Sequence, residues 1–169
     1  WSEKIPGSSS KTYASLDAVG QSSAFNGSAI ISSGKPVAAI VNLTAASGNG
    51  IREQASYGGV SNVAPELTMP LIVKNNGGRI NDTKFNVQNA SSGDVSVTIT
   101  YVPASAGNTG CKQTATIKKG SSKTFDQKTD SDYTGCSGTG LGDKFVGSAK
   151  IVATGGNIAA AALQGSTIN

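Results

Sequence analysis

The sequence predicts an all-β protein, an antiparallel β-sandwich carrying an additional half-repeat. Three observations carry that expectation. The 169 residues include 22 glycines, 23 serines and 15 threonines, while charged residues are 14% of the chain, against about 25% in an average soluble domain. Apolar residues alternate with polar ones, or run in short stretches bounded by Gly, Asn, Pro and Ser, which is strand punctuation. Finally, motifs recur in fixed order along the chain, so that part of a β-structure is written twice.

The elements follow in sequence order. A short strand is expected at 13–16. FNGSAIIS at 25–32 and VAAIVNLT at 37–44 are two strands joined by the Gly34-Lys35-Pro36 turn. Asn49-Gly50 is a hairpin signal, because both residues accept positive φ, and the return strand is 51–57. Further strands are expected at 69–73, 83–88, 95–102, 113–117, 123–127, 145–152 and 157–163. The clearest is VSVTITY at 95–101, whose strict alternation puts Val95, Val97, Ile99 and Tyr101 on one face. The alanine run after Ile158 is helical by propensity alone; the repeat assigns it to a strand.

That repeat sets the architecture. GSSSKTY at 7–13 returns as GSSKTF at 120–125, FNGSAII at 25–31 as FVGSAKI at 145–151, and PVAAIVN at 36–42 is matched by NIAAAAL at 157–163. The block 69–117 has no counterpart before Gly7, and only the first copy is followed by the hairpin return. The chain therefore reads as the back half of one repeat, 1–58 with an extended N-terminal segment, followed by a sandwich domain at 59–169. A half-sandwich leaves strand edges and an apolar face bare, which soluble monomers avoid. A start at Trp1 rather than methionine adds the expectation of a removed leader or a longer parent chain.

PLIVKNNGG (70–78), FNVQN (85–89), VSVTITYVP (95–103), the GSSKTF, FVGSA and PVAAIVN motifs, and ASYGG (55–59) together resemble the tandem β-sandwich repeats of large secreted and cell-surface proteins of green non-sulfur bacteria and their relatives. The resemblance covers roughly 7–165. It implies an Ig-like sandwich and a structural role without assigned activity. The chain departs from that pattern in starting mid-repeat and in its Cys-bearing insert.

Composition removes several functions. The net charge of +4 is small and dispersed, and the densest basic cluster, Lys118, Lys119 and Lys123, lacks the interleaved aromatics of a nucleic-acid surface. No apolar run approaches the roughly 20 residues of a membrane-spanning helix. The chain has no histidine, so the commonest general base and zinc ligand are missing and no enzyme activity is expected. No cofactor is expected either. Cys111 and Cys136 cannot complete a four-ligand Cys/His zinc site; in an exported chain they pair as a disulfide. Asp126, Asp130 and Asp132 form an acidic loop without the glycine turn and terminal glutamate of a calcium loop. Gly138, Gly140 and Gly142 precede no helix and read as a connection, not a phosphate cradle.

Asn26, Asn42, Asn81 and Asn89 head glycosylation triplets. The remaining candidates are contacts between copies: Trp1, Ile5, Tyr13 and Leu16 from the N-terminal segment, and Ile158 and Leu163 from the last strand. The function expected is a subunit of an extracellular filament or surface array. It would polymerise head to tail with itself, with an N-terminal strand from 1–19 adding to the open edge at 157–163 of another copy. A module of a longer adhesin that binds glycans through exposed rings is the other reading, with Trp1, Tyr57 and Tyr133 as its platforms.

Overall fold

The computed structural model describes residues 2–13, 27–46, 52–77 and 81–165. Among these the chain forms nine strands and no helix: β1 (Ile40–Ala46), β2 (Arg52–Gly58), β3 (Glu66–Lys74), β4 (Asp82–Asn89), β5 (Val95–Ala106), β6 (Lys112–Ile117), β7 (Ser122–Asp126), β8 (Phe145–Thr154) and β9 (Ile158–Gly165). Every pairing is antiparallel. Strands β3 to β9 make two sheets, in the orders β3-β8-β5-β6 and β7-β4-β9, while β1 and β2 form a separate hairpin. The alanine run is strand β9, because its backbone pairs with β4 from Asn89↔Ile158 to Asp82↔Gly165. Tertiary pairing overrides its helix propensity.

The two sheets close over one core. The alternation in β5 delivers Val95, Val97, Ile99 and Tyr101 to it, and β8 adds Phe145, Ala149 and Ile151 in the same manner. From the facing sheet come Phe85, Val87, Phe125 and Ile158, all inaccessible or nearly so. Phe85 and Phe125 sit on paired strands with ring centroids 5.3 Å apart, and the edge of Phe145 meets Tyr101 at 6.0 Å. Each such side chain, fully buried, stabilises the fold by roughly 1.5–3 kcal/mol before ordering entropy is subtracted. Gly147 of β8 is required by packing: a Cβ there would collide with the carbonyl oxygen of Val102 and with Pro103.

The second strand of the sandwich pairs with the fifth (β4 with β7) and the third with the sixth (β5 with β8), as in immunoglobulin domains. The terminal strands exchange places relative to that arrangement. The last, β9, lies beside β4, and the first, β3, lies beside β8. One outcome is that β9 stands at the rim of the three-stranded sheet.

Several expected elements of the N-terminal half differ. Residues 27–39 hold no strand, although FVGSAKI, the copy of FNGSAII, forms most of β8. The expected strand at 37–44 begins only at Ile40. Tyr13 is not in a strand, and the rest of 13–16 lies outside the described residues. The physical reason is pairing: in β8 the motif is held between β3 and β5, and no described strand plays that part for 27–32. Asn49-Gly50 lies outside the described residues, but the two strands expected on either side of it are present, and β1 and β2 pair from Ile40↔Gly58 to Ala46↔Arg52.

Candidate assembly site

The rim strand β9 is rich in alanine and, beyond Ile158, is paired on one side only. Asn157 accepts a hydrogen bond from the Ala90 N–H, so odd-numbered residues of β9 direct their backbone toward β4. Ile158 bonds in the opposite direction, exchanging N–H···O=C bonds with Ala64 at 2.9 and 3.2 Å. The backbone groups of Ala160, Ala162 and Gln164 therefore project off the free rim. Leu163 is 37% exposed beside it. An unpaired row of this kind is a template for another strand. Ile158 is a different matter: its side chain is fully buried in the core and its backbone is taken by Ala64. It is a core residue, not a contact between copies.

A cleft of about 320 Å³ lies along this rim, lined by Ser56 and Tyr57 of β2, by Met69, Pro70 and Leu71 of β3, and by Ala162, Leu163 and Gln164 of β9. The hairpin thus stands across a gap from the edge that it does not join.

The N-terminal half is the counterpart. In the second copy of the repeat, Ile151 and Ile158 are fully buried; their equivalents in the first copy, Ile31 and Val37, are 65% and 56% exposed. Ile30 and Ile40 are equally bare. In the segment 2–13 every residue is exposed. Its described interactions are internal: the Tyr13 hydroxyl donates to Glu3, Lys11 pairs with Glu3 at 3.1 Å, and Ser9 Oγ donates to the Pro6 carbonyl. Ile5 and Tyr13 are both exposed. Trp1, Leu16 and Asn26 lie outside the described residues.

The excursion between β7 and β8 is tied down. Cys111 and Cys136 form a disulfide, with Cys111 fully buried. Around it Lys112 and Thr134 exchange backbone bonds, Thr109 and Ser137 bond each other, and Asn108 Nδ2 donates to the carbonyl of Gly140. The glycine-rich connection packs Leu141 fully into the core. The three aspartates engage protein donors: Asp126 the Lys84 ammonium, and Asp130 and Asp132 together the Gln113 amide. Among the described residues no three acidic or thiol groups converge on a cation position.

The candidate glycan acceptors divide by environment. Asn42 is exposed on β1. Asn81 is half-buried, with its amide spent on Asp82 and on the Gly77 N–H. Asn89 is wholly buried: its Nδ2 donates to the Gly93 and Ile117 carbonyls, and its Oδ1 accepts from Ser91 N–H. A glycan on Asn89 is incompatible with this fold. Of the proposed sugar platforms, Tyr133 is half-buried against the core, meeting Tyr101 at 5.6 Å and donating to Gln127; Tyr57 stays exposed.

Comparison with known protein families, curated proteins and solved structures finds no match. Fold and edge alone define the class: an all-β protein, an antiparallel sandwich with a β-hairpin and an uncovered N-terminal copy of its own strand motifs.

Proposed function

We propose that the protein is an exported structural subunit that assembles head to tail with further copies of itself, by β-strand addition, into an extracellular filament or surface array. One observation carries this reading: the same motif is core in the second copy, where Ile151 and Ile158 are buried, and bare in the first, where Ile31 and Val37 are not. A sequence that encodes a sandwich strand but lacks neighbours in its own chain gains burial by taking them from another molecule. The free rim of β9 at Ala160, Ala162 and Gln164 offers the backbone half of such a contact, and Ile5 and Tyr13 offer side chains for it. A donor segment and an acceptor edge that are different parts of the chain give a heterologous contact that need not close on itself, which yields filaments. The buried disulfide fits an oxidising compartment.

The test pairs two variants with the intact chain: deletion of residues 1–19, and Ile31→Asp with Val37→Asp. Light scattering after size exclusion, and negative-stain images, report assembly. Rods or a ladder of oligomers for the intact chain, and monomers for both variants, are expected. Undiminished assembly of the variants overturns the reading.

A further inference from the structure

The free edge of β9 already holds one hydrogen-bonded pair from its own chain, and the phase of that pair is informative. Ala64 and Ile158 exchange both backbone bonds, so the N–H and C=O of Ala64 point at β9. In extended chain the direction alternates by residue, and therefore Asn62, Val60, Gly58 and Ser56 share that direction. An independent ladder gives the same phase. Gly59 donates to the Ala39 carbonyl at 2.8 Å, so odd-numbered residues of β2 face β1 and even-numbered ones face away. Both ladders aim the same row of groups at the edge whose own unpaired row is Ala160, Ala162 and Gln164. Held at the register of the Ala64↔Ile158 bridge, Asn62 stands opposite Ala160, Val60 opposite Ala162 and Gly58 opposite Gln164. The cleft lined by Ser56, Tyr57, Ala162 and Gln164 is the remaining gap between them.

The segment can make this ladder. Residues 52–64 contain no proline, so each amide can donate. The repeat also shows that the edge accepts such a strand. Ala39 corresponds to Ala160 in the copied motif, and it is the Ala39 side of β1 that β2 occupies.

We infer that residues 58–64, the continuation of β2, zip onto β9 from the Ala64–Ile158 bridge, closing the cleft and adding a fourth strand at the rim of the small sheet. The edge open to a second copy is then capped within the monomer, and strand addition has to displace this cap. That last consequence rests on the assembly reading above; the closure itself does not.

Amide hydrogen exchange followed by NMR on the intact protein tests it. The Ala159, Ala161 and Leu163 amides face β4 and serve as internal controls. Those of Ala160, Ala162 and Gln164 face the cleft, where an open rim exchanges as an unstructured chain does. Closure predicts exchange slower by at least about tenfold at these three, independent of protein concentration. Val60→Pro, a change at an exposed position outside any strand, replaces the N–H aimed at the Ala162 carbonyl with a ring that cannot approach it, so the two chains part and fast exchange should return at Ala162 while the controls stay slow. Fast exchange in the intact chain at low concentration overturns the closure. Protection that appears only as concentration rises overturns it too, and supports strand addition instead. Concentration-independent protection without any oligomer by light scattering leaves the closure standing and removes the assembly reading.

Discussion

Tyr101, in the middle of β5, donates its phenolic hydrogen to Oε1 of Gln113 on β6 at 2.5 Å, and both side chains are shut off from solvent. The amide of Gln113 passes the contact on to Asp130 and Asp132, Gln127 Nε2 donates to the Tyr101 oxygen at 3.3 Å, and Tyr133 donates to Gln127 Oε1 at 3.0 Å. A connected polar network thus fastens the chain after β7 to the core of the opposite sheet.

Tyr101→Phe leaves the Gln113 oxygen and one Gln127 hydrogen without partners. A loss of about 1–3 kcal/mol in urea unfolding is expected, because an orphaned buried polar group carries its full desolvation penalty. Tyr101→Phe with Gln113→Leu removes both ends of the bond, so the double variant should lose less than the sum of the singles. Strict additivity would show that the two side chains are not coupled.

The disulfide should matter through the unfolded chain. Cys111 and Cys136 are 25 residues apart, and opening a loop of that size lowers stability by about 3–4 kcal/mol in the chain-entropy picture. Cys111→Ala with Cys136→Ala should show this as a lower denaturant midpoint with an equal or steeper slope, because the unfolded chain without the cross-link exposes more surface. A midpoint within error of the intact protein would mean that the bonds around Thr109, Lys112 and Ser137 hold the excursion by themselves.

How far the sequence could be read depended on whether the information was local. Strand β5 was legible because Val95, Val97, Ile99 and Tyr101 alternate without exception, and β9 because its copy, with Ile40 and Val41, is β-branched where β9 has alanine. The same equivalence misled at 25–32: a repeat transfers sequence but not neighbours, and Ile31 lacks the flanking strands that bury Ile151. Ile158 was read as a surface contact because the sheet order, with β9 against β4, depends on long-range pairing that no window of residues displays. Buried polar side chains such as Gln113 and Gln127 carried no local signal. The one available hint was their nearness in sequence to Cys111 and to the aspartates at 126–132.

Asn89 makes the glycosylation expectation specific. Produced in a glycosylating host, the folded protein should carry no glycan at Asn89, by glycopeptide mapping, while Asn42 stays open to modification on the surface of β1. Asn89→Ala should lower stability by at least about 2 kcal/mol, since the Gly93 and Ile117 carbonyls and the Ser91 N–H all lose a partner. A glycan found at Asn89 on natively folded protein would contradict its placement in the core.

Titration should bracket stability from both sides. At Asp126, partial burial raises the carboxyl pKa, but the hydrogen bonds from Lys84 and from the Lys128 N–H outweigh it and hold the group below its usual value. A depressed folded pKa contributes stability that is fully present above the unfolded value, about 3.9, and is lost as pH falls through the folded one. Lys84→Met should therefore flatten the acid limb. On the alkaline side, burial raises both Tyr101 and Tyr133, reinforced by the charges of Asp130 and Asp132. In the unfolded chain these phenols ionise near about 10; in the fold they stay protonated. Above that pH the unfolded state binds fewer protons than the native one, so stability present below about 10 falls as pH rises. Tyr133→Phe removes one of the two groups and should make the decline in urea midpoint between about pH 9 and 11 shallower than in the intact protein. Parallel declines in the two proteins would mean that lysine deprotonation alone, and not the buried phenols, sets the alkaline limit.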